Sequence, residues 1–314
     1  MTHLLRLDDP RWKTLESFGP RPGRIPTLLR RVEKERRFTD GKAFDALWAE
    51  IFDQYSCVDA SYAVLPHLVR IGADAPPAEA AFLWTMVGSL ATSCDGTEGP
   101  PPADLLEGFR EGIAEAEVHC LQALVDGKCE LELCYDLSVA ALGLAGHPLG
   151  KLIMDDYAAA EDGESQAVCP DCESEVYVAV FDEGLVALED EEAEPGAPDP
   201  ARELVRPPRP PRMAAREPNP WRPIAGELAK VVKRFEGSDE AARHLELAAA
   251  VAAAGVTAEV PAGPAFSLLG GLLQLKGYPD AAVRLFHAWD SIRCPECRAE
   301  FTFAERWWGV QTGE

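Results

Sequence analysis

Two stretches of the chain, DLSVAALGLAGHP at residues 136–148 and SLLGGLLQLKGYP at residues 267–279, share one pattern. A shift of 131 residues places leucine on leucine, glycine on glycine and proline on proline. A glycine just past an apolar segment, with a proline two residues on, is typical of a helix end. Each stretch continues into a second helical segment, a Cys-Pro-x-Cys motif and a β-prone segment, so we expect a duplicated unit. The alternative is that Gly-x-Pro turns after apolar helices recur by chance.

Four of the nine cysteines form the two Cys-Pro-x-Cys motifs, CPDC at residues 169–172 and CPEC at residues 294–297. The residues that follow, ESEVYVAVF and RAEFTFAER, alternate in the manner of β-strands. A tight turn presents two thiolates to one ion, and two such turns supply the four sulfurs of a tetrahedral zinc site. Because four sulfurs leave no open position, we predict one structural zinc ion per chain. Its ligands would be Cys169, Cys172, Cys294 and Cys297.

Other interpretations of the two motifs are weaker. A redox Cys-x-x-Cys pair normally opens a helix after a strand, whereas strands follow both motifs here. Disulfides are rare in the reducing cytoplasm. Unrelated core cysteines would not be expected to share both spacing and flanking pattern. We expect the other cysteines to be small buried hydrophobic residues; they are Cys57, Cys94, Cys120, Cys129 and Cys134.

Most of the remaining sequence has the apolar spacing of amphipathic helices. Apolar side chains recur at intervals of three and four residues in 39–55, 104–125 and 224–235. The connections are short and rich in glycine or proline, which favours antiparallel helical hairpins. Repeated hairpins favour a stacked α-solenoid over one compact bundle. We therefore predict a mostly α fold, a solenoid of helical hairpins with a small embedded zinc-ribbon β element.

These patterns divide the chain into four predicted parts. An N-terminal helical array covers residues 1–160, and the first cysteine turn with its β-hairpin covers 161–188. A linker covers 189–220, and C-terminal helical hairpins with the second cysteine turn cover 221–314. Nine residues of 189–220 are proline and few are apolar, so this segment is expected to be disordered.

The N-terminal part resembles bacterial HEAT-like proteins that are encoded beside polymorphic toxins and are regarded as immunity proteins. The resemblance rests on LDDPRW at 7–12, ALWAEIFDQYS at 46–56, SYAVLPHLVRIG at 61–72, and LAGHP at 144–148 with CPDC downstream. A proline inside an apolar helix is common in HEAT-type repeats. The resemblance covers most of residues 1–181 and, more weakly, the C-terminal unit, but several clean copies of one repeat are absent. It implies a HEAT-like solenoid and an immunity function.

The net charge of −23 is unevenly distributed. Residues 38–198 contain 33 acidic and five basic residues, residues 1–37 have a net charge of +5, and residues 199–314 are neutral. This balance argues against a general nucleic-acid binder. The acidic part either forms a solvated surface or steers a basic partner. In the second case the partner-binding residues would be Asp104, Glu107, Glu111, Glu115, Glu117, Asp126, Glu130, Glu132 and Asp136.

The sequence contains none of the common catalytic motifs GxGxxG, GxxxxGK[ST], GxSxG or HExxH. His119 and Cys120 are adjacent, but neighbouring residues on a helix point about 100° apart. We therefore predict a non-catalytic protein-binding scaffold, specifically an immunity protein that occludes a basic toxin. An apolar run of about 20 residues and a signal pattern are both missing, so we expect no membrane association and a cytoplasmic location.

Two alternative functions remain open at the sequence level. A nucleic-acid-associated zinc-ribbon regulatory protein would bind phosphates through the basic N-terminal arm and the arginines of the linker. The arm consists of Arg21, Arg24, Arg30, Arg31, Lys34, Arg36 and Arg37. An enzyme of unrecognised class would require a concave polar pocket.

Overall fold

The computed structural model describes residues 3–53, 56–94, 101–154, 164–181, 184–188 and 215–303. These ranges contain ten α-helices and three small antiparallel sheets, which confirms the prediction of a mostly α fold. They form parts of two compact units, Met1–Met154 and Asp155–Glu314. None of the helices in these ranges has the length and apolar composition that a membrane crossing requires.

The described residues of the first unit form six α-helices, three short 3₁₀ segments and a two-stranded sheet. The helices are α1 (Ile25–Glu35), α2 (Lys42–Ile51), α3 (Asp59–Ala73), α4 (Pro77–Ser93), α5 (Ala103–Asp126) and α6 (Leu131–Leu144). The 3₁₀ segments are Pro10–Lys13, Pro22–Arg24 and Pro148–Met154, and the strands are β1 (Phe52–Asp53) and β2 (Ser56–Cys57).

Helices of the first unit pack on their second neighbours along the chain, α3 on α5 and α4 on α6. Small residues allow the close approach. A Cβ atom added at Gly88 of α4 would lie 2.5 Å from the Cβ of Ala140 on α6. A Cβ added at Gly112 of α5 would lie 2.5 Å from a methyl carbon of Leu65 on α3. Larger side chains at these two glycines would therefore force the helices apart.

Two details of the first unit differ from the sequence prediction. Helix α2 ends at Ile51 instead of Tyr55, because Phe52 and Asp53 pair with Cys57 and Ser56 in the β1–β2 sheet. Tyr55 itself lies outside the described residues. The expectation for Cys57 and Cys94 is wrong, since they are half-buried and form a disulfide between β2 and the end of α4. Cys120 and Cys134 are buried as expected, and Cys129 is half-buried.

The part of the second unit that the structure describes has four helices and two sheets. Strands β3 (Glu164–Val168), β4 (Glu175–Phe181) and β5 (Gly184–Leu188) form an antiparallel sheet in that order. The helices are α7 (Arg222–Val232), α8 (Asp239–Ala254), α9 (Ala262–Lys276) and α10 (Pro279–His287). Strands β6 (Ser291–Arg293) and β7 (Glu300–Thr302) form an antiparallel hairpin. The Oγ of Ser238 accepts a hydrogen bond from the N–H of Ala241 and caps α8.

Part of the predicted linker is ordered. Residues 189–214 lie outside the described residues, but residues 215–220 pack against the C-terminal end of α8. The N–H of Arg216 donates to the carbonyl of Ala254 over 2.9 Å. The Nδ2 of Asn219 donates to the carbonyls of Ala252 and Ala253. Residues 215–220 differ from the predicted disordered linker because they satisfy carbonyl groups that a helix end leaves free.

The two matched stretches of sequence fold in the same way. Helices α6 and α9 each end before a glycine in the left-handed region, with φ of 81° at Gly146 and 87° at Gly277. The next N–H, of His147 or Tyr278, donates to the carbonyl five residues earlier over 2.9 and 3.0 Å. This is the hydrogen bond of a Schellman motif. The shared helix end agrees with the predicted duplication.

Candidate metal centre

The two Cys-Pro-x-Cys turns have the same backbone hydrogen bonds. Cys169 follows β3 and Cys294 follows β6, and each turn leads into the antiparallel partner strand. The N–H of Cys169 donates to the carbonyl of Ser174 over 3.0 Å, and that of Cys294 donates to the carbonyl of Ala299 over 2.9 Å. Each hairpin therefore closes around its cysteine turn at the same register.

The residue after the second cysteine has the same unusual conformation in both turns. Glu173 and Arg298 have positive φ angles of 60° and 66°. Their N–H groups donate back to the carbonyls of Cys169 and Cys294 over 3.0 and 3.1 Å. A left-handed conformation is costly for a residue with a side chain. Its repetition indicates that both turns need this conformation to close.

The four cysteine sulfurs form one cluster. Each Sγ lies within 4.8 Å of the other three. The Sγ atoms of Cys169 and Cys297 are 3.5 Å apart, and those of Cys172 and Cys294 are 3.7 Å apart. Zinc–sulfur bonds of about 2.3 Å in a tetrahedron separate the sulfurs by about 3.8 Å. The four sulfurs therefore fit a metal ion bound by four cysteine ligands.

The negative charge that the thiolates would carry also favours a cation at the centre of the cluster. The hydroxyl and the N–H of Ser174 hydrogen-bond to the sulfur of Cys172 and lower its pKa to about 6, which favours the thiolate. At Cys297 the N–H of Ala299 lowers the pKa, but desolvation and the neighbouring thiols outweigh it and raise the pKa to about 12. Four sulfurs this close cannot all be anionic unless a cation balances their charge.

One cysteine of each turn is buried and the other is exposed. Cys169 and Cys294 are buried, whereas Cys172 and Cys297 face solvent. Within the second unit, β4 packs on α10 and β5 packs on β6, so the two hairpins share a core. Val176 and Val178 of β4 and Phe301 of β7 are buried in it. A bound metal would therefore fasten the two hairpins at the edge of this core.

The N-terminal half of the predicted partner-binding surface contacts an arginine and a histidine of the same unit. The Oδ2 of Asp104 lies 2.5 Å from the Nη1 of Arg11. The imidazole of His3 lies 3.5 Å from Glu107 and 3.1 Å from Glu111. These carboxylates are exposed or half-buried, so they remain at the surface beside two basic groups. Their charge is partly balanced within the chain.

The rest of the predicted partner-binding surface is more varied. Glu117 is only 1% exposed, so it is unavailable to a partner and this part of the prediction is corrected. Its position on α5 turns it towards the interior, because it follows the buried Ala116 and precedes the buried Cys120 by one turn. The remaining acids lie at the surface: Glu115 and Asp136 are half-buried, and Asp126, Glu130 and Glu132 are exposed.

The basic N-terminal arm is largely paired with carboxylates. Four of its seven members form ion pairs, Arg24 with Glu50, Arg31 with Glu35, Arg36 with Asp74 and Arg37 with Asp40. A guanidinium group held by a carboxylate is less available to phosphate. The arrangement therefore gives no particular support to phosphate binding by the arm.

A buried polar network in the second unit has no signal in the sequence. The Nδ1 of His244 lies 2.9 Å from the Oγ of Ser267, and the Nδ1 of His287 lies 2.7 Å from the Oδ2 of Asp290. The His244 ring stacks on Phe286 with centroids 5.0 Å apart. These residues lie on three helices and the turn after α10, and their spacing along the chain matches no motif. Both histidines and Ser267 are buried, so the network connects helices instead of facing a substrate.

The adjacent pair His119 and Cys120 is also separated in space. The imidazole of His119 stacks on Trp84 with the centroids 5.2 Å apart. The thiol of Cys120 is 3.3 Å from the carbonyl of Leu137, and burial raises the pKa of this thiol. The thiol therefore stays protonated and lacks the character of a nucleophile.

Comparisons of the chain with protein families, with curated proteins and with solved structures found no match. Its function is therefore inferred from the geometry, burial and charge of its own residues.

Proposed function

We propose that this protein is a non-catalytic protein-binding scaffold with one structural zinc ion, and that it neutralises a basic toxin as an immunity protein. The zinc part rests on one observation, the cluster of four cysteine sulfurs within 4.8 Å of one another. Cys169, Cys172, Cys294 and Cys297 would hold the ion. Thiolates favour zinc among the common divalent ions, and four of them leave no position for a substrate.

The scaffold part of the proposal draws on the helix packing of the first unit. Stacking of α3 on α5 and of α4 on α6 is the contact pattern of successive helical hairpins laid side by side. Solenoids of this kind present extended surfaces that suit protein partners. A HEAT-like solenoid is therefore our proposed architecture for residues 1–154, with the two cysteine hairpins as a zinc ribbon in the second unit.

The acidic surface supports a basic partner. Without Glu117, eight of the proposed contact residues lie at the surface of α5, α6 and the connection between them. Glu130 and Glu132 are exposed and form no ion pair with a described residue. A concentrated negative charge accelerates association with a basic protein and makes it sensitive to salt. A toxin that carries basic residues around its active site would be occluded in this way.

The zinc proposal is tested by metal analysis of the purified full-length protein. We expect about one zinc ion per chain, and loss of the metal when Cys172→Ser and Cys297→Ser are combined. These two ligands are exposed, so their replacement disturbs the core least. Cys129→Ser, a half-buried cysteine outside the cluster, is the matched control and should retain zinc. Absence of zinc from the wild-type protein, or its retention in the double variant, would refute the proposal.

The immunity proposal predicts that a gene flanking this one encodes a basic toxin, and it is tested by measuring the association of that protein with the full-length chain. We expect a complex whose affinity falls as salt rises, because screening weakens attraction between exposed charges. Glu130→Gln combined with Glu132→Gln should slow association more than it speeds dissociation. An affinity that is equal at low and high salt would contradict steering by the acidic surface, and failure of the two proteins to associate would contradict the immunity function.

A further inference from the structure

A groove on the first unit, separate from the acidic α5–α6 surface, is lined by aromatic rings. It encloses about 520 Å³ beside one face of α2 and its continuation into β1. Asp45, Trp48 and Ala49 of α2 and Phe52 and Asp53 of β1 line it. The groove therefore combines aromatic rings with one carboxylate from α2 and one from β1.

The rings form a continuous aromatic surface that is partly open to solvent. The Trp48 centroid lies 5.7 Å from that of Phe44 and 5.0 Å from that of Phe52. Trp48 and Phe52 are half-buried, and Phe18 at the groove is 40% exposed. Phe18 is one of only two large hydrophobic side chains that are exposed among the described residues. Exposed aromatic surface in a concave site is typical of a binding site.

The two carboxylates of the groove are available to a ligand. Asp45 and Asp53 are exposed, and neither forms an ion pair or a side-chain hydrogen bond within the described part of the chain. Elsewhere in the first unit, acids such as Asp104, Glu33 and Glu50 are paired with arginines. Asp45 and Asp53 thus give the aromatic groove a negative charge that the described residues do not balance.

We propose that this groove binds the guanidinium group of an arginine side chain on a protein partner. A guanidinium ion is planar, stacks on aromatic faces and donates hydrogen bonds to a carboxylate from its fork of N–H groups. Aromatic rings next to unpaired carboxylates match all three properties, whereas a neutral apolar ligand would leave the carboxylates without a counter-charge. The inference deepens the proposed function, on which its choice of a protein partner rests, because it names the basic side chain that anchors the partner.

The groove is tested directly by titrating the full-length protein with a capped arginine, N-acetyl-arginine methylamide, in a calorimeter. We expect saturable binding and a change in Trp48 fluorescence that Trp48→Phe removes. The matched control ligand is N-acetyl-citrulline methylamide, which keeps the shape and loses the charge. It should bind at least tenfold more weakly. Equal binding of the two ligands, or no saturable binding of capped arginine, would overturn the proposal.

Paired variants locate the site and identify the source of the guanidinium group. Combining Asp45→Asn with Asp53→Asn should weaken the binding of capped arginine at least tenfold. The control combines Glu236→Gln with Glu259→Gln, at two exposed acids of the second unit, and should leave the affinity for capped arginine unchanged. Equal losses in the two double variants would overturn the assignment to this groove. Free arginine carries a charged α-ammonium and α-carboxylate group, which an arginine within a protein chain lacks. Tighter binding of free than of capped arginine would therefore show that the groove recognises the free amino acid, and would overturn the proposal of a protein partner.

Failure of this inference can be separated from failure of the proposed immunity function. If the toxin binds wild-type protein and the Asp45→Asn, Asp53→Asn variant equally well, the groove is not the anchor, although the immunity function holds. If capped arginine binds as expected but the toxin does not, the groove is supported and the immunity function is refuted.

Discussion

Two buried histidines make the stability of the folded chain depend on pH. The Nε2 of His67 lies 2.8 Å from the carbonyl of Leu5, and burial, with a smaller contribution from Arg70, lowers the pKa of His67 to about 4. Burial, reinforced by His287, lowers the pKa of His244 to about 3. Because an unfolded histidine titrates near 6.5, the unfolded chain binds protons that the folded chain does not. Their contribution to stability is thus present above pH 6.5 and falls as the pH approaches 4.

We expect acidification from pH 7 to pH 5 to lower the free energy of unfolding by about 2 kcal/mol for each of these histidines. The measurement is urea unfolding at both pH values. His67→Gln and His244→Asn remove one titrating group each, so each variant should lose less stability on acidification than the wild type. Val118→Ala, at an exposed residue that does not titrate, is the control and should leave the pH dependence unchanged. If both core variants retain the full pH dependence, other groups cause it.

At the scale of single elements, the ends of α6 and α9 depend on glycine. Gly146 and Gly277 have positive φ angles, and a Cβ atom added at either would meet no atom within 4 Å. Replacement by alanine therefore has only a backbone cost, about 1 kcal/mol for a left-handed residue. We expect Gly146→Ala and Gly277→Ala each to lower the free energy of unfolding by about that amount.

Gly226→Ala is the matched control for these helix ends. Gly226 is exposed in the interior of α7, and its added Cβ also meets no atom within 4 Å. Because its backbone is helical, alanine there should stabilise the protein by about 0.5–1 kcal/mol. Thermal unfolding of the three variants shows whether each replacement raises or lowers the stability of the protein. A stabilising Gly146→Ala or Gly277→Ala would contradict the left-handed helix ends.

The elements show which features a sequence can predict. Helices such as α5 follow from apolar periodicity, and the cysteine cluster follows from two motifs of equal spacing, because both signals are local. The disulfide between Cys57 and Cys94 has no local signal, since β2 and the end of α4 bring together residues that are 37 positions apart. The aromatic groove was missed for another reason. Periodicity places Trp48 and Phe52 on the apolar face of the helix predicted over 39–55, but it does not show that these two rings are partly open to solvent.

At the scale of the whole molecule, the first compact unit contains the disulfide and the second contains the cysteine cluster. The disulfide joins two positions of the first unit, Met1–Met154, and the cysteine cluster joins two hairpins of the second, Asp155–Glu314. Closing a 37-residue loop in the unfolded chain corresponds to about 4 kcal/mol in the chain-entropy model. A metal bound by the cysteine cluster would close a longer loop, because Cys172 and Cys294 are 122 positions apart. We therefore expect reduction of the disulfide to destabilise the first unit and removal of the metal to destabilise the second.

Hydrogen exchange, followed by mass spectrometry, can separate these two responses. A zinc chelator should accelerate exchange in β4, β6, β7 and α10 of the second unit and leave α3–α6 of the first protected. A thiol reductant should accelerate exchange around β2 and the end of α4, and Cys57→Ser combined with Cys94→Ser should abolish this sensitivity. Regions whose stability is set by separate contacts open separately. If the chelator deprotects α3–α6 as strongly as the cysteine hairpins, the two units unfold as one cooperative body, and the metal stabilises the entire chain instead of one unit.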